Sequence, residues 1–355
     1  MEKRIANVKQ LLTKHNLDAI LVSSKANKFY LNALTGSGVK VLITKDHCYQ
    51  IMDGRYINEA KKMTTAYENI VYEQGASYLE VVKKIIGEKT LGIEANHTLT
   101  KEYLSFKQAK INVFLLDNEL EQIRACKDEF EIKTMQKACQ ITDEVFLEVL
   151  KKIHVGMSEL ELLSLIQYLA LNKGASKMAF EPIVASGFRS AMPHGRATTK
   201  KFAPHEFITI DFGVVYQGYQ SDMTRTISLG EPSLELRKIY DTVLTAQKAG
   251  IAYIKEGLTG QKVDAYVREI IKKNGFVKYF THGLGHGMGI GDGELPLLNS
   301  RSQTVLKEGM VMSCEPGIYV PDVGGVRIED DVLIRNGVGV ALNKAPKDLI
   351  ILEVK

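Results

Sequence analysis

Cysteine is scarce and unpatterned in this chain: Cys48, Cys126, Cys139 and Cys314 are the only four in 355 residues, with no Cys-x-x-Cys spacing among them. That argues against structural zinc on thiolates and against a disulfide framework. A surplus of one charge is also missing. The 46 basic and 42 acidic residues leave a net charge of +4, spread without a basic run or an interleaved aromatic stripe, so nucleic acid is not an expected partner. No uninterrupted apolar stretch approaches the roughly 18–20 residues that cross a bilayer. The start, Met-Glu-Lys-Arg-Ile-Ala-Asn-Val-Lys, has no signal-peptide apolar region, and the expectation is a cytoplasmic protein without a membrane partner. What is present is 45% hydrophobic content over 355 residues, enough for one large core or, on length, two domains.

Against that background five residues stand out: Asp211, Asp222, His286, Glu315 and Glu329. Four carboxylates and one imidazole suit a pair of hard divalent cations and predict a dinuclear metal hydrolase. The two aspartates lie in apolar runs, 206–214 and 219–227, that flank Tyr216, Gln217 and Gly218 and read as a β-hairpin. With a two-residue turn at Tyr216 and Gln217, Asp211 and Asp222 pair directly across one face, their Cβ atoms roughly 4.5–5.5 Å apart. Like charges so placed destabilise a sheet unless a cation or a shared proton lies between them. Taken singly, either aspartate would read as a solvated surface residue.

The second half offers a similar pair. Glu315 and Glu329 each interrupt an apolar, strand-like run, 311–316 and 325–334, and ionised carboxylates are almost never buried unless paired or metal-bound. Between the acidic pairs, Thr-His-Gly-Leu-Gly-His-Gly-Met-Gly-Ile-Gly (281–291) is too glycine-rich for a helix and suits close backbone approach to a ligand. A lone histidine is more often a satisfied core residue, but His286 is set in glycines beside four candidate carboxylates. A phosphate loop is disfavoured, because no helix start follows and Asp292 and Glu294 would repel phosphate. Cys314, next to Glu315, reads as a small buried hydrophobe.

Along the chain, residues 1–122 alternate helix (4–15), strands (18–22, 39–43, 49–52) and helix (78–86), which argues an α/β domain with a turn at Asp-Gly-Arg-Tyr (53–56). A charged segment at 119–130 leads into a long helical pattern from about 128 to 153, and the boundary is set there, leaving 123–355 as the second domain. That domain carries an internal repeat. Gly-Met-Ser-Glu at 156 and Gly-Leu-Thr-Gly at 257 each open a helix, and the helices end at Gly174 and Gly275, both landmarks offset by 101 residues. Ser158 and Thr259 read as N-caps, with Glu161 completing a capping box, and the glycines read as C-terminal stops. Each copy follows another helix (128–153, 234–255) and precedes strands bearing two acidic residues, so a duplicated, pseudo-symmetric half would bring the acidic pairs together.

Asp-Phe-Gly (211–213), Ser-Asp-Met-Thr-Arg-Thr (221–226), His-Gly-Leu-Gly-His-Gly (282–287), Glu-Pro-Gly-Ile-Tyr (315–319) and Gly-Val-Arg-Ile-Glu-Asp-Asp (325–331) resemble the pita-bread metallopeptidases (peptidase family M24), in the branch of the Xaa-Pro dipeptidases (prolidases) and aminopeptidase P. The resemblance covers essentially the whole chain. It implies a small N-terminal creatinase/prolidase-like α/β domain before a C-terminal pita-bread domain, α/β (α+β) in class. It further implies two divalent ions per chain, with Asp211 holding one through both oxygens, Asp222 and Glu329 bridging, and His286 and Glu315 completing the other site. Such oxygen-rich ligation suits manganese, with cobalt or zinc as alternatives, and the paired ions would activate a water and stabilise an oxyanion. The implied catalytic set is Glu315 as proton shuttle, His194 facing substrate, His282 near the site, and Arg327 and Tyr319 orienting ligands. The expected substrates are short peptides cut at an N-terminal Xaa-Pro bond, and a homodimer is expected by the same likeness.

Two departures from the family pattern matter. Gly293 stands where a catalytic histidine is expected, and Leu297 where many prolidases carry an arginine for a dipeptide's carboxylate, although Arg301 lies nearby. The first supports an alternative, a metal-bearing but catalytically weak peptide-binding protein. Methionine aminopeptidase shares the metal site but generally lacks such an N-terminal domain.

Overall fold

The computed structural model describes residues 2–63, 66–291 and 294–354. The chain divides into two compact units, 1–124 and 125–355. In the first, a mixed six-stranded sheet runs in the order Glu68–Val71, Cys48–Met52, Val39–Thr44, Ala19–Val22, Thr90–Glu94, Asn112–Leu116. Ala19–Val22 is the hinge of the topology, pairing antiparallel with Val39–Thr44 and parallel with Thr90–Glu94. Helix Tyr78–Ile86 packs Val82 and Ile86 onto Leu21, Leu42 and Ile93. The expected turn at 53–56 is a single 3-10 turn, Gly54–Tyr56, capped by the Asp53 carboxylate.

In the second unit the repeat is visible as two helix pairs, Glu129–Val149 with Glu159–Asn172 and Leu234–Tyr253 with Gly260–Lys273. The second member of each pair begins and ends 101 residues after its counterpart. Each of the four helices starts on a side-chain cap, from Asp128, Ser158, Ser233 and Thr259, which satisfies amide groups that a first turn leaves open. Both Asp128 and Ser158 form full capping boxes, with Glu131 and Glu161. Gly174 and Gly275, at φ 93° and 84°, stop the shorter helices as expected. The first long helix is shorter than the sequence suggests: it ends at Val149, where Lys151 and Lys152 amides tighten onto the carbonyls of Glu148 and Val149.

Each helix pair covers its own sheet system. One apolar core joins Ile141, Val145 and Ile166 to Ile208, Ile210 and Ile227; the other joins Val243, Val263 and Val267 to Met312, Ile328 and Val332. The first sheet orders Ile351–Leu352, Met223–Leu229, Phe207–Phe212 and Ile183–Ser186; the second orders Val311–Cys314, Asp330–Arg335 and Val338–Ala341, with the ribbon Gly317–Val320/Gly324–Arg327 beyond it. Among the described residues no helix is long and apolar enough to cross a membrane.

Candidate metal centre

The aspartate hairpin forms, but not in the expected register. Asp211 stands opposite Thr224 and Met223 opposite Phe212, so Asp211 and Asp222 are not directly paired. The cause is the turn. Gln217 and Gly218 take positive φ (46° and 86°), the twist-compatible primed geometry of a two-residue hairpin, so the turn lies one residue later and the pairing shifts by two. A shift of two conserves the face of every side chain, and Asp222 becomes a diagonal rather than a direct neighbour of Asp211.

The glutamate pair is organised by interruption. The apolar runs around it are each two strands with a break: Val311–Cys314 then Gly317–Val320, and Gly324–Arg327 then Asp330–Arg335. Cys314 opposes Asp330 and Gly317 opposes Arg327. One register therefore spans both ladders, and its continuation sets Glu315 against Glu329 where the strands open. The glycine-rich segment threads beside them. A Cβ on Gly285 would lie 2.1 Å from the Ser313 carbonyl oxygen, and one on Gly287 2.4 Å from that of Leu295, so no side chain fits where the backbone carries His286 past two neighbouring segments.

All five residues line one cavity of about 1070 Å³, together with His194, His282 and Arg327. Ligand atoms of Asp222, His286 and Glu329 lie within 4.8 Å of one another. His286 Nε2 is 3.4 Å from Glu315 Oε1 and 3.8 Å from Asp222 Oδ2. Its Nδ1 faces the Gly287 carbonyl at 3.2 Å, which places the proton on Nδ1 and leaves the Nε2 lone pair for a ligand. Three of the candidate ligands each have one buried oxygen without a hydrogen-bond partner among the described residues: Asp211 Oδ1, Asp222 Oδ1 and Glu329 Oε1. Burial, then the facing Glu329 and Asp211, pushes the Asp222 carboxyl well above its usual range; burial, then Glu315 and Asp211, does the same to Glu329. Orphaned, mutually repelling carboxylate oxygens beside an imidazole nitrogen are the donor set a hard divalent cation requires.

A hydrogen-bonded chain stiffens the wall of this site. Arg327 Nη2 donates to Asp211 Oδ2 at 2.5 Å, its Nη1 to Tyr319 Oη at 2.8 Å and its Nε to Thr224 Oγ1 at 3.1 Å. Thr224 Oγ1 donates on to Glu329 Oε2 at 2.6 Å. His282 Nδ1 faces the Gly283 carbonyl at 2.7 Å and its Nε2 meets Tyr319 Oη at 2.9 Å. The first contact requires a proton on Nδ1, so Nε2 accepts from the tyrosine hydroxyl; burial lowers the His282 pKa and favours this neutral form. His194 is exposed on the cavity wall, in the segment whose Pro193 carbonyl accepts from Arg327 Nη1 at 3.2 Å.

Sequence reasoning missed Thr224 and Ser313. Ser313 Oγ accepts from the His286 amide at 3.0 Å and donates to Glu315 Oε1 at 2.9 Å. The signal for Thr224 was available, since it follows Asp222 by two residues and strand alternation puts both on one face. Arg301 lines a neighbouring cavity and Leu297 lines both. Gly293 lies outside the described residues. A second histidine–carboxylate group, Glu94, His97 and Glu121, lies in the first unit. There Glu94 is already occupied by the amides of Ser23 and Ser24 and the Asn27 side chain, which reads as an anchored loop.

Comparison with known proteins finds relatives along nearly the whole chain. Residues 133–336 match the family model of metallopeptidase family M24, and residues 4–126 that of the creatinase/prolidase N-terminal domain. The chain is 36% identical over 353 residues to an Xaa-Pro dipeptidase of Pyrococcus horikoshii, covering 99% of each. Among solved structures it is similar to an Xaa-Pro dipeptidase from Bacillus anthracis, at 38% identity, TM-score 0.94 and 99% coverage of both chains. It is also similar to an X-Pro aminopeptidase from Thermotoga maritima, at 34% identity, TM-score 0.87 and 95% and 98% coverage. These likenesses bear out the expected architecture, a small α/β domain before a pita-bread domain. On the breadth of these matches, the chain belongs to metallopeptidase family M24.

Proposed function

We propose that this metallopeptidase hydrolyses the bond between an N-terminal residue and a following proline in short peptides, using two divalent ions held by Asp211, Asp222, His286, Glu315 and Glu329. The observation that carries the reading is the trio of buried, unpartnered oxygens, Asp211 Oδ1, Asp222 Oδ1 and Glu329 Oε1: their desolvation is costly unless cations face them. The titles of the relatives, Xaa-Pro dipeptidase and X-Pro aminopeptidase, support the choice of scissile bond. Oxygen-rich ligation favours manganese. Bound there, the ions supply an acidified water and charge stabilisation at the scissile carbonyl.

The remaining chemistry belongs to the chain. Asp222 and Glu329 would hold both ions in common, while Arg327 fixes one oxygen of Asp211 and leaves its other oxygen without a hydrogen-bond partner among the described residues. Glu315, oriented by Ser313 Oγ, takes the proton from the attacking water and delivers it to the proline nitrogen as the bond breaks. His194 on the exposed wall binds the substrate carbonyl side, and neutral His282 holds Tyr319 in line with Arg327.

Metal analysis of protein saturated with manganese is expected to find close to two ions per chain, and Asp222→Asn or Glu329→Gln to lose most of both. Ala-Pro and Ala-Pro-Ala are expected to be cleaved, and a Met-Ala peptide at least tenfold less well. Full metal in either variant would overturn the bridging roles; preference for Met-Ala would overturn the proline reading.

A further inference from the structure

A buried carboxylate on the shorter helix of each half fastens a histidine-bearing segment. In the first half Glu159, which opens helix Glu159–Asn172, accepts from the Ser186 and Thr198 amides and pairs with Arg189, whose Nη2 donates to the Arg196 carbonyl at 2.6 Å. That segment carries His194. In the second half Asp264 lies one turn into helix Gly260–Lys273, with 1% exposure. Its Oδ1 accepts from the Leu284 amide at 3.0 Å and from Arg268 Nη2 at 2.9 Å, and its Oδ2 from Arg268 Nε at 3.0 Å. Arg268 also donates to the carbonyls of Phe280, at 2.9 Å, and His282, at 2.8 Å, and its guanidinium lies over the Phe280 ring, 4.2 Å from the centroid. The segment fastened here carries His282 and His286.

This second fastening reaches two candidate ligands through the backbone. The Leu284 amide is bonded to Asp264, and the Leu284 carbonyl accepts from the Glu315 amide at 2.9 Å. Two residues on, the His286 carbonyl accepts from the Ser313 amide at 2.8 Å, and the His286 amide donates to Ser313 Oγ. Residues 284–286 therefore form a strip between the helix and the strand Val311–Cys314 that leads to Glu315. With glycine at 283, 285 and 287 the strip has few side chains to pack and wide backbone freedom, so its place depends on these bonds. The other ligands are set by different elements. Asp211 lies within strand Phe207–Phe212, the Asp222 amide donates to Asp331 Oδ2 at 2.9 Å, and the Glu329 amide donates to the Thr224 carbonyl at 3.1 Å. We propose that Asp264 and Arg268 are positioning residues of the metal centre, holding His286 and Glu315 in place and so acting selectively on one of the two ion positions. This rests on the two-ion reading above, in which His286 and Glu315 complete one position while Asp211, Asp222 and Glu329 remain for the other.

The test measures manganese stoichiometry and affinity, by metal analysis and calorimetric titration of the full chain, in the wild type, Asp264→Ala, Asp264→Asn and Glu159→Ala. The wild type is expected to take up close to two ions. Asp264→Ala should retain one and bind the second about tenfold to a hundredfold more weakly, the loss typical when a group orienting a metal ligand is removed. Asp264→Asn keeps an oxygen for the Leu284 amide and should recover part of that affinity, whereas Glu159→Ala should keep both ions at wild-type affinity. Where Asp264→Ala does not fold, the same split is read in Asp264→Asn. Hydrogen exchange in the chelated protein follows the fastening without metal or substrate. The Leu284 and Glu315 amides are expected to exchange about tenfold faster or more in Asp264→Ala, and the Asp222 amide at the wild-type rate. A wild type that takes up one ion, with exchange moved as expected, removes the two-ion reading and supports the fastening. Both ions bound to Asp264→Ala at wild-type affinity would overturn the proposal. Equal losses at both ion positions, or exchange accelerated alike at all three amides, would also overturn it, because either marks a general destabilisation.

Discussion

Arg327 illustrates how much of this site depends on one side chain having a particular shape. Its planar fork serves Asp211, Tyr319, Thr224 and the Pro193 carbonyl at once, and 4% exposure leaves none of those partners an alternative in water. A lysine keeps the charge but offers one compact ammonium in place of a rigid set of donors. Arg327→Lys is therefore expected to retain the ion pair with Asp211 and to strand two or three other acceptors, each at about 1–3 kcal/mol when buried. The measurable outcome is a melting point lowered by several degrees and a kcat/KM reduced by about tenfold to a hundredfold, with measurable metal still bound. A variant that melts and turns over like the wild type would show that the fork is dispensable. An arginine in a strand reads, by itself, as a solvated or ion-paired residue; only the resemblance raised it above that. Thr224, which ties the same arginine to Glu329, was within reach of strand alternation and was still passed over.

Among the secondary-structure elements, the legible parts were those governed by local chemistry. Caps, stops and the 101-residue repeat follow from side chains bonding their own helix termini. The hairpin register was not legible, because it turns on a non-glycine residue, Gln217, adopting positive φ, and a tertiary context decides that. The openings in the strands at Glu315 and Glu329 were equally hidden inside apolar runs. Glu159 is a further case. By sequence it is an acidic residue in the first turn of a capped helix, a mildly favourable position. In the fold it is fully buried and accepts from the Ser186 and Thr198 amides, both their hydroxyls and Arg189 Nε, fastening the segment that bears His194. Glu159→Ala leaves Arg189 without its carboxylate and is expected to cost about 3–5 kcal/mol. Activity should fall with the His194 segment while metal content stays near that of the wild type, since every proposed ligand lies elsewhere. Metal analysis, a thermal melt and kcat/KM on one preparation check this; metal lost in step with activity would contradict the separation.

On the scale of the molecule, the carboxylates couple two halves that each have a core of their own. Asp211 and Asp222 belong to the first sheet system, and Glu315 and Glu329 to the second. The halves are also tied behind the site, where Arg225 donates to Asp330 Oδ1 and to the carbonyls of Pro346 and Ala345, and Lys347 holds Asp330 Oδ2. Against the push of burial, those two cations keep the Asp330 carboxyl below its usual range, so this junction stays ionised and firm. The metal-site junction has the opposite sign. Burial first, and then mutual repulsion, raises the carboxyls of Asp222 and Glu329 far above 3.8 and 4.5. Without metal, the folded protein therefore binds protons there that the unfolded chain has released, and stability falls as pH rises. The contribution is complete below the unfolded values and is lost as pH climbs through the raised folded ones. Metal reverses the slope, because cations compete with those protons and bind more tightly as pH increases. In melts run from about pH 5 to pH 8, the chelated protein is expected to lose stability from this site with rising pH while manganese adds progressively more. Asp222→Asn removes one titrating member and should flatten the chelated profile, which distinguishes this junction from other ionisable groups. If the variant keeps the wild-type slope in chelator, the two halves are not joined through charge at this cluster, and the strain in the metal-free protein lies elsewhere.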